Sequence, residues 1–339
     1  MIQDAIRVVV SGRSLTASDA HDVAGEIMSG QASPGQIAGL LVALRMKSES
    51  VNEITGFARA LRAHATPLNI DGDSLIDTCG TGGDGSGTFN ISTAAAFVAA
   101  GAGCRVAKHG NRSVSGGCGS ADVLEALGVD TAMPVEMTAA AIRDIGIGFL
   151  FAPMYHQAAR HAAEPRRDIG IRSIFNIVGP LTNPAGAKRQ LIGVFDERLT
   201  EPVATVLHRL GAVRGMVVHG EDGLDEITLC GRTTVAELVD DRVRSYRLDP
   251  ASLGLCCADP AALRGGSPTV NAGIVQEVLR GQPGPGREIV VLNAAAAIYV
   301  AGVAPSIRDG LELARQSIDS GRAIAKLDAL RAGTRSAMS

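Results

Sequence analysis

No long run of like charge interrupts this chain of 339 residues, whose 32 Lys and Arg against 35 Asp and Glu leave a net charge of −3. A protein whose main partner is nucleic acid normally carries a basic stripe; none is evident, and no nucleic-acid partner is expected. The six cysteines (Cys79, Cys104, Cys118, Cys230, Cys256 and Cys257) are scattered without a Cys-x-x-Cys pair, so the usual zinc signature is missing. Apolar stretches such as LNAAAAIYVAGVA stop well short of a membrane span, and the opening MIQDAIRVVV has no signal-peptide pattern. Internal repeats and low-complexity tracts are also lacking. What is present, 46% hydrophobic and 20% charged residues, is ample for a core and wrong for disorder. The expectation is a soluble, cytoplasmic globular protein of about two domains.

The first 66 residues read as helices. SPGQIAGLLVALRMK offers Ser33 as an N-cap with Pro34 at the first helical position, where a missing N–H costs nothing. SESVNEITGFARALRAH carries a capping box, Ser50 with Glu53, ahead of an apolar face at Ile54, Phe57, Ala58 and Leu61. TPLNIDGD, at 66–73, breaks the pattern and reads as a linker. The division expected is a helical domain over 1–70 and an α/β domain over 71–339.

From Leu75 the texture changes. Short apolar runs (SLIDTCG, CRVAKHG, QLIGVFD, GMVVHG and REIVVLN) end in glycine or polar loops and pass into helical segments. That alternation predicts β-α units and a mostly parallel sheet, with ligands bound beyond the carboxyl ends of the strands. The stretch 153–186, rich in Arg, Pro and Asn, fits no regular unit and reads as an insertion or a return to the helical part.

The loop DTCGTGGDGSGTFNIST, residues 77–93, poses the functional question. Gly80, Gly82 and Gly85 fit G-x-G-x-x-G literally, but a chain with 41 glycines meets that pattern easily. The dinucleotide fingerprint also needs an acid about 20 positions on, and none occurs between Asp84 and Asp122. Walker A fails as well, for want of Gly-Lys-Ser/Thr. The acid-free interval instead holds Arg105, Lys108, His109 and Arg112 and a second glycine-serine loop, SVSGGCGSAD. The glycines could simply make tight turns. Two such loops, each after a strand and each opening a helix, favour a crevice lined with N–H donors for a polyanion. Lys108, at the end of CRVAKHG, would add point charge there.

Asp84 sits awkwardly in such a loop, because phosphate repels a carboxylate. VVHGEDGLDEITL places Asp225 and Glu226 side by side after another strand. Adjacent acids are commonly a solvated turn. All three make sense if magnesium, a hard cation that takes oxygen ligands, or ribose hydroxyls stand between them and a diphosphate. The reading at this level is a metal-bound sugar phosphate.

Taken together, GTGGDGSGTFNIST, KHGNRSVSGGCGSADVLEALGV, FLFAPMYHQAARHAAEPRRDIGIRSIFNIVGPLTNPAG and VVHGEDGLDEIT resemble the anthranilate phosphoribosyltransferase family, as do stretches from both ends, in order, over almost the whole chain. The resemblance implies an enzyme of tryptophan biosynthesis that joins anthranilate to phosphoribosyl pyrophosphate (PRPP) with Mg²⁺ as cofactor. It implies a small N-terminal helical domain, joined by about 165–185 from mid-chain, plus a larger α/β domain of nucleoside phosphorylase/phosphoribosyltransferase type. Two subunits would dimerise through the helical domain. Matched position by position, Gly80, Gly83, Asp84, Thr88, Asn90, Ile91, Ser92 and Thr93 fall at PRPP contacts. So do Lys108, His109, Gly110, Asn111, Arg112, Ser113, Val114, Ser115, Gly116 and Ser120. Ser92, Asp225 and Glu226 match the magnesium ligands, and Gly80, Asn111 and Arg166 the anthranilate site, where His109 and His156 would help shape the pocket. Catalytic weight would fall on Lys108, Asp225 and Glu226.

One departure shows: where many relatives have a serine and a lysine after SVS, this chain has Gly116 and Gly117. That removes a hydroxyl and a charge from the second loop and bears on PRPP affinity more than on the reaction. Two rival readings are a nucleoside phosphorylase on the same fold and a non-catalytic nucleic-acid-binding relative. The KHGNR and GLDE motifs argue against the first, the mild acidity and retained acids against the second.

Overall fold

The computed structural model describes residues 1–113 and 117–335. Four helices open the chain: α1 (Ile2–Val10), α2 (Ala17–Met28), α3 (Pro34–Lys47) and α4 (Val51–Ala63). Both caps read from the sequence are in place. Ser33 and Gln36 exchange reciprocal bonds at the start of α3, and Ser50 and Glu53 do so at the start of α4. Glu53 does more than cap. Its fully buried carboxylate also accepts from the Leu15 N–H at 3.0 Å and from the Lys47 ammonium at 2.8 Å, so a local signal becomes a tertiary pin.

The larger part runs β1 (Leu75–Asp77), α5 (Ile91–Gly101), β2 (Arg105–Gly110), α6 (Ser120–Ala126), α7 (Val135–Asp144) and β3 (Ile147–Phe151). Three short helices follow, α8 (Ala152–Tyr155), α9 (Ala163–Ile169) and α10 (Ile174–Val178). Then come β4 (Arg189–Gly193), α11 (Thr200–Arg209), β5 (Arg214–Gly220), β6 (Thr233–Val239) and β7 (Arg242–Leu248). The chain closes with α12 (Pro268–Leu279), α13 (Pro285–Val300), α14 (Ile307–Asp319) and α15 (Arg322–Arg335). The sheet order is β3-β2-β1-β4-β5-β6-β7, parallel through β5 and antiparallel beyond it. The strand order reverses at β1, which has β2 on one side and β4 on the other. Such a switch point opens a crevice at the carboxyl ends of the strands.

Alternation along the strands sorts the core into two faces. Leu191, Met216 and Val218 pack with α5 and α13, while Ile192 and Val217 pack toward α11 and the helical part. The mid-chain segment belongs with that second face: α9 lies on α3, and α10 on α3 and α4. The helical part and the sheet thus share one continuous apolar cluster. Among the described residues no helix is long and apolar enough to cross a membrane.

One expected strand is a helix. REIVVLN lies inside α13, whose residues from Ile289 to Ala297 are all buried. A helix enclosed on every side needs no polar face, so its β-branched run carries no helical period and imitates an interior strand. The outer hairpin β6–β7 also escaped the strand list. Its last strand is exposed and studded with Arg242, Arg244 and Arg247, charges that blunt a free sheet edge.

Candidate active site

Three loops meet at the switch point. The first, residues 78–90, joins β1 to α5; the second, 111–119, joins β2 to α6; the third follows β5 and carries Asp225 and Glu226. Long-range hydrogen bonds bind the third to the first. Asp225 Oδ2 accepts from the Gly82 N–H at 2.7 Å, and Glu226 Oε1 accepts from the Ser92 N–H at 3.0 Å, in the first turn of α5. Asp84 Oδ2 accepts from the Asp225 N–H at 3.3 Å and from the Ser86 hydroxyl at 2.6 Å. Three carboxylates separated by up to 142 positions in the chain therefore converge at one place.

Burial sets their electrostatics. Loss of solvent pushes the Glu226 carboxyl up to about 7, against the pull of Lys108. Asp225 is also raised well above its ordinary range, by burial and then by the charges of Asp84 and Glu226. Like charges brought together in a partly desolvated crevice call for a cation, and an all-oxygen donor set with the Ser92 hydroxyl beside it suits hard Mg²⁺. Lys108 is itself buried, donating to the Thr78 carbonyl at 2.6 Å and lying 3.4 Å from Ser92 Oγ.

The other residues singled out in the sequence have more varied surroundings. Gly80 packs against Asp225, where an added Cβ would stand 2.9 Å from Oδ2. Thr88 bridges to Arg264, and Asn90 ties the loops together by donating to the Cys118 carbonyl at 2.8 Å. Ile91 is buried in the core, and Thr93 is buried with its hydroxyl unpartnered among the described residues. Gly110 ends β2, and the Asn111 carbonyl accepts from the Ser120 hydroxyl at 3.3 Å. The Ser113 N–H donates to Asp122. Val114, Ser115 and Gly116, and with them part of the Gly116–Gly117 departure, lie outside the described residues.

The basic interval contributes less charge than its composition suggested. Arg105 starts β2, at the far end from the crevice, and bonds Ser74. Arg112 is committed to Asp122 at 3.0 Å and Glu125 at 2.6 Å. The His109 and His156 rings meet at a tilt of 57° with centroids 5.2 Å apart, and burial lowers them to about 3 and about 4, so both are neutral imidazoles. Lys108 is the basic residue of this interval whose charge bears on the first and third loops. The helices supply another cation: Arg166, on α9, lies 5.1 Å over the Phe175 ring, with no carboxylate partner among the described residues.

Sequence reasoning missed three contributors. Arg172 reaches across to the first loop, donating to the Gly83 carbonyl at 2.7 Å with its guanidinium 4.4 Å over Phe195. Asn183 donates to both Asp77 and the Ala107 carbonyl at 2.8 Å, locking β1 to β2 beneath the loops. Gly193, at the end of β4, lets the Asp225 backbone pass so closely that a Cβ there would fall 1.5 Å from the Asp225 carbonyl oxygen. The only sequence signal for the first two was their place in GIRS and LTNPAG, within the stretch that fitted no regular unit.

The helical bundle, the mostly parallel sheet and the acid-lined crevice at its strand ends are matched together by one class of protein, the glycosyl transferases. Residues 72–324 match the glycosyl transferase family, a/b domain, and residues 3–65 the helical bundle domain of that family. The anthranilate phosphoribosyltransferase of Moorella thermoacetica is 53% identical over 330 residues, covering 97% of both chains. That of Pelotomaculum thermopropionicum is 54% identical, covering 96% of this chain and 95% of its own. The chain belongs to the anthranilate phosphoribosyltransferase family. Among solved structures, the enzyme from Thermus thermophilus superposes with a TM-score of 0.93 at 46% identity, over 98% of this chain and 99% of its own. The Saccharomyces cerevisiae enzyme in complex with PRPP and Mg does so at 0.90 and 27% identity, over 99% and 98%.

Proposed function

We propose that this crevice transfers the phosphoribosyl group of PRPP to the amine of anthranilate, giving N-(5′-phosphoribosyl)anthranilate and pyrophosphate, as a step of tryptophan biosynthesis in the cytoplasm. The observation that carries the reading is the half-buried Asp225–Glu226 pair, docked on the first glycine loop and on the first turn of α5. Ser92, Asp225 and Glu226 would hold Mg²⁺, with Asp84 alongside. When bound, the ion supplies charge neutralisation to the departing diphosphate. The test is direct: mix the protein with PRPP, Mg²⁺ and anthranilate and follow anthranilate fluorescence. A PRPP-dependent fall that EDTA stops is expected. No fall with all components present would refute the assignment.

The residues divide the work by position and charge. The two loops bind PRPP through Gly80, Gly83, Thr88 and Asn90 to Thr93 on one side, and through Lys108 to Gly116 and Ser120 on the other. Lys108 supplies fixed positive charge where the leaving group gains negative charge, in a site that needs no reorganisation. Arg112, already ion-paired with Asp122 and Glu125, ties the start of the second loop to α6. Anthranilate lies near Gly80 and Asn111 with its carboxylate on Arg166. Its amine is neutral at ordinary pH, so positioning rather than a strong base exposes the nucleophile. The neutral His109 and His156 rings shape that pocket and add no charge to it. The helical unit is residues 1–70 with about 165–185, and the α/β unit spans 71–339, so Arg172 joins the two at the site.

The two arginines should separate in kinetics. Arg166→Ala is expected to raise the KM for anthranilate about tenfold or more with a smaller change for PRPP, as the loss of a charge-assisted bond implies. Arg172→Ala frees the Gly83 carbonyl, and is expected to raise the KM for PRPP severalfold and spare that for anthranilate. Steady-state kinetics with each substrate varied would show the reverse pattern if the roles are exchanged.

Magnesium use should depend on pH in a stated direction. Glu226 sits at about 7 in the folded metal-free protein against an ordinary 4.5, so below about 7 the metal must displace a proton. The Mg²⁺ concentration for half-maximal rate is expected to rise toward about tenfold per pH unit below 7. The raised carboxyl also stabilises the metal-free fold most below about 4.5, a contribution lost as pH rises through about 7. Mg²⁺ titrations at pH 6 and pH 8 that coincide would contradict this.

A homodimer is proposed through the helical unit. Val10 at the end of α1 and Met46 near the end of α3 stand 70% and 84% exposed, in the neighbourhood where Lys47 bonds Ser14. Met46→Glu is expected to shift the protein to monomer in analytical ultracentrifugation and to remove the concentration dependence of its melting temperature.

A further inference from the structure

Beneath the first glycine loop lies a group of side chains, two of which, Asp77 and Cys79, have no part in the transfer reaction. Asp77 ends β1, Cys79 follows two residues on, and His109 occupies the neighbouring strand β2. Alternate residues of adjacent strands share a face, which brings the three together. One ligand atom from each, a carboxylate oxygen, the sulfur and a ring nitrogen, lies within 4.8 Å of the others. We propose that Asp77, Cys79 and His109 form a second metal site, for a thiophilic divalent cation such as Zn²⁺ and separate from the carboxylates that suit Mg²⁺.

His109 is the observation that points to a ligand. It is only 4% exposed, yet neither ring nitrogen has a hydrogen-bond partner among the described residues. The Gly179 carbonyl stands near the ring without meeting hydrogen-bond geometry. A ligating histidine usually turns its second nitrogen to a backbone carbonyl, which is the surrounding found here. Cys79 is similarly uncommitted, its thiol making one weak contact to the Gly80 carbonyl at 3.7 Å.

Asp77 has the oriented surroundings of a ligand carboxylate. Its Oδ1 accepts from the His109 N–H at 3.0 Å and its Oδ2 from Asn183 Nδ2 at 2.8 Å, leaving a lone pair on each oxygen. Sulfur, imidazole and carboxylate together select Zn²⁺ or Co²⁺ over Mg²⁺, which demands oxygen. Three protein ligands leave a fourth tetrahedral position open. Cys79 is half-buried at the edge of the crevice. Burial holds the Cys79 thiol well above its ordinary range, with Asp77 adding to the rise and Lys108 opposing it, so the metal must itself displace the proton.

Binding exchanges the thiol proton of Cys79 for the metal, and one proton is released to solvent. Because His109 also borders the acceptor pocket, Zn²⁺ held here would compete with anthranilate. Inhibition by Zn²⁺ that excess Mg²⁺ does not relieve is the functional consequence.

The test uses the full chain and Co²⁺ alone, so its outcome does not depend on activity. One equivalent of Co²⁺ should produce a thiolate-to-cobalt charge-transfer band in the near ultraviolet, displaced by Zn²⁺ and not by Mg²⁺. Cys79→Ala should lose the band and weaken Zn²⁺ binding about 100-fold or more. Cys256→Ser with Cys257→Ser, which removes the exposed cysteines, should retain both. A band absent from the wild-type protein, or lost with Cys256 and Cys257 instead, would overturn the site. In wild-type protein, Zn²⁺ should protect Cys79 from alkylation as read by mass spectrometry. Equal labelling with and without Zn²⁺ would overturn it without recourse to a variant.

Discussion

Asp225→Asn combined with Glu226→Gln is expected to lower turnover by about three orders of magnitude while raising the thermal stability of the metal-free protein. The two effects share one cause. Each amide keeps an oxygen to accept from Gly82 or Ser92, so the loop-to-loop bonds at 2.7 and 3.0 Å can survive. What disappears is charge. The native pair is half-buried, mutually repulsive and held above the usual carboxylate range by loss of solvent, a condition that disfavours the fold wherever the acids ionise. Functional sites commonly retain such destabilising arrangements. Loss of the metal-binding charge removes electrostatic stabilisation of the leaving group, of the kind worth about 10²–10³ per group. Thermal melts in EDTA and steady-state kinetics on the same preparation would check both halves. A fall in stability together with turnover would mean that the carboxylates chiefly hold the loop.

Gly193→Ala is expected to be nearly as damaging, from a residue with no chemistry of its own. A methyl group at this position would overlap the Asp225 carbonyl oxygen at 1.5 Å and its carbon at 2.4 Å. Those are backbone atoms, so no side-chain rotation relieves the clash. The third loop must retreat or β4 must bend, and the Thr81 N–H bond to the Gly193 carbonyl at 2.9 Å is strained with it. Overpacking of this kind costs about 3 kcal/mol or more. Displacement of Asp225 and Glu226 by about an ångström should add about a 100-fold loss of rate. Urea unfolding and kinetics would measure the two. Gly273→Ala, in α12 with open space around it, is the control, expected to be neutral or mildly stabilising. If the two alanines behave alike, the close approach at Gly193 is not what holds the third loop.

These predictions differ in how much of them could be read before folding. Asp225 and Glu226 were visible because two adjacent acids after a strand are a local pattern, and Asp84 because a carboxylate is out of place among phosphate-loop glycines. Gly193 was hidden: nothing in QLIGVFD shows that a loop 32 residues further on passes over it. Arg112 and Arg105 illustrate the converse. Composition counted them as charge for the crevice, but one is neutralised by Asp122 and Glu125 and the other sits at the opposite end of its strand. Arg172 entered the site only through a bond spanning 89 positions.

The sequence by itself determined the local structure that backbone and capping chemistry dictate. That covers the helix starts at Ser33 and Ser50, the glycine loops after β1 and β2, and the helical and α/β textures on either side of the linker. It could do so because these signals act over a few residues, where propensity and hydrogen bonding are decided. Only the tertiary structure decided which charges face the crevice, that the REIVVLN segment is an enclosed helix, and that Asp77, Cys79 and His109 share one face. Side-chain direction, burial and close approach depend on what the rest of the chain packs against each residue. No window of the sequence contains that information.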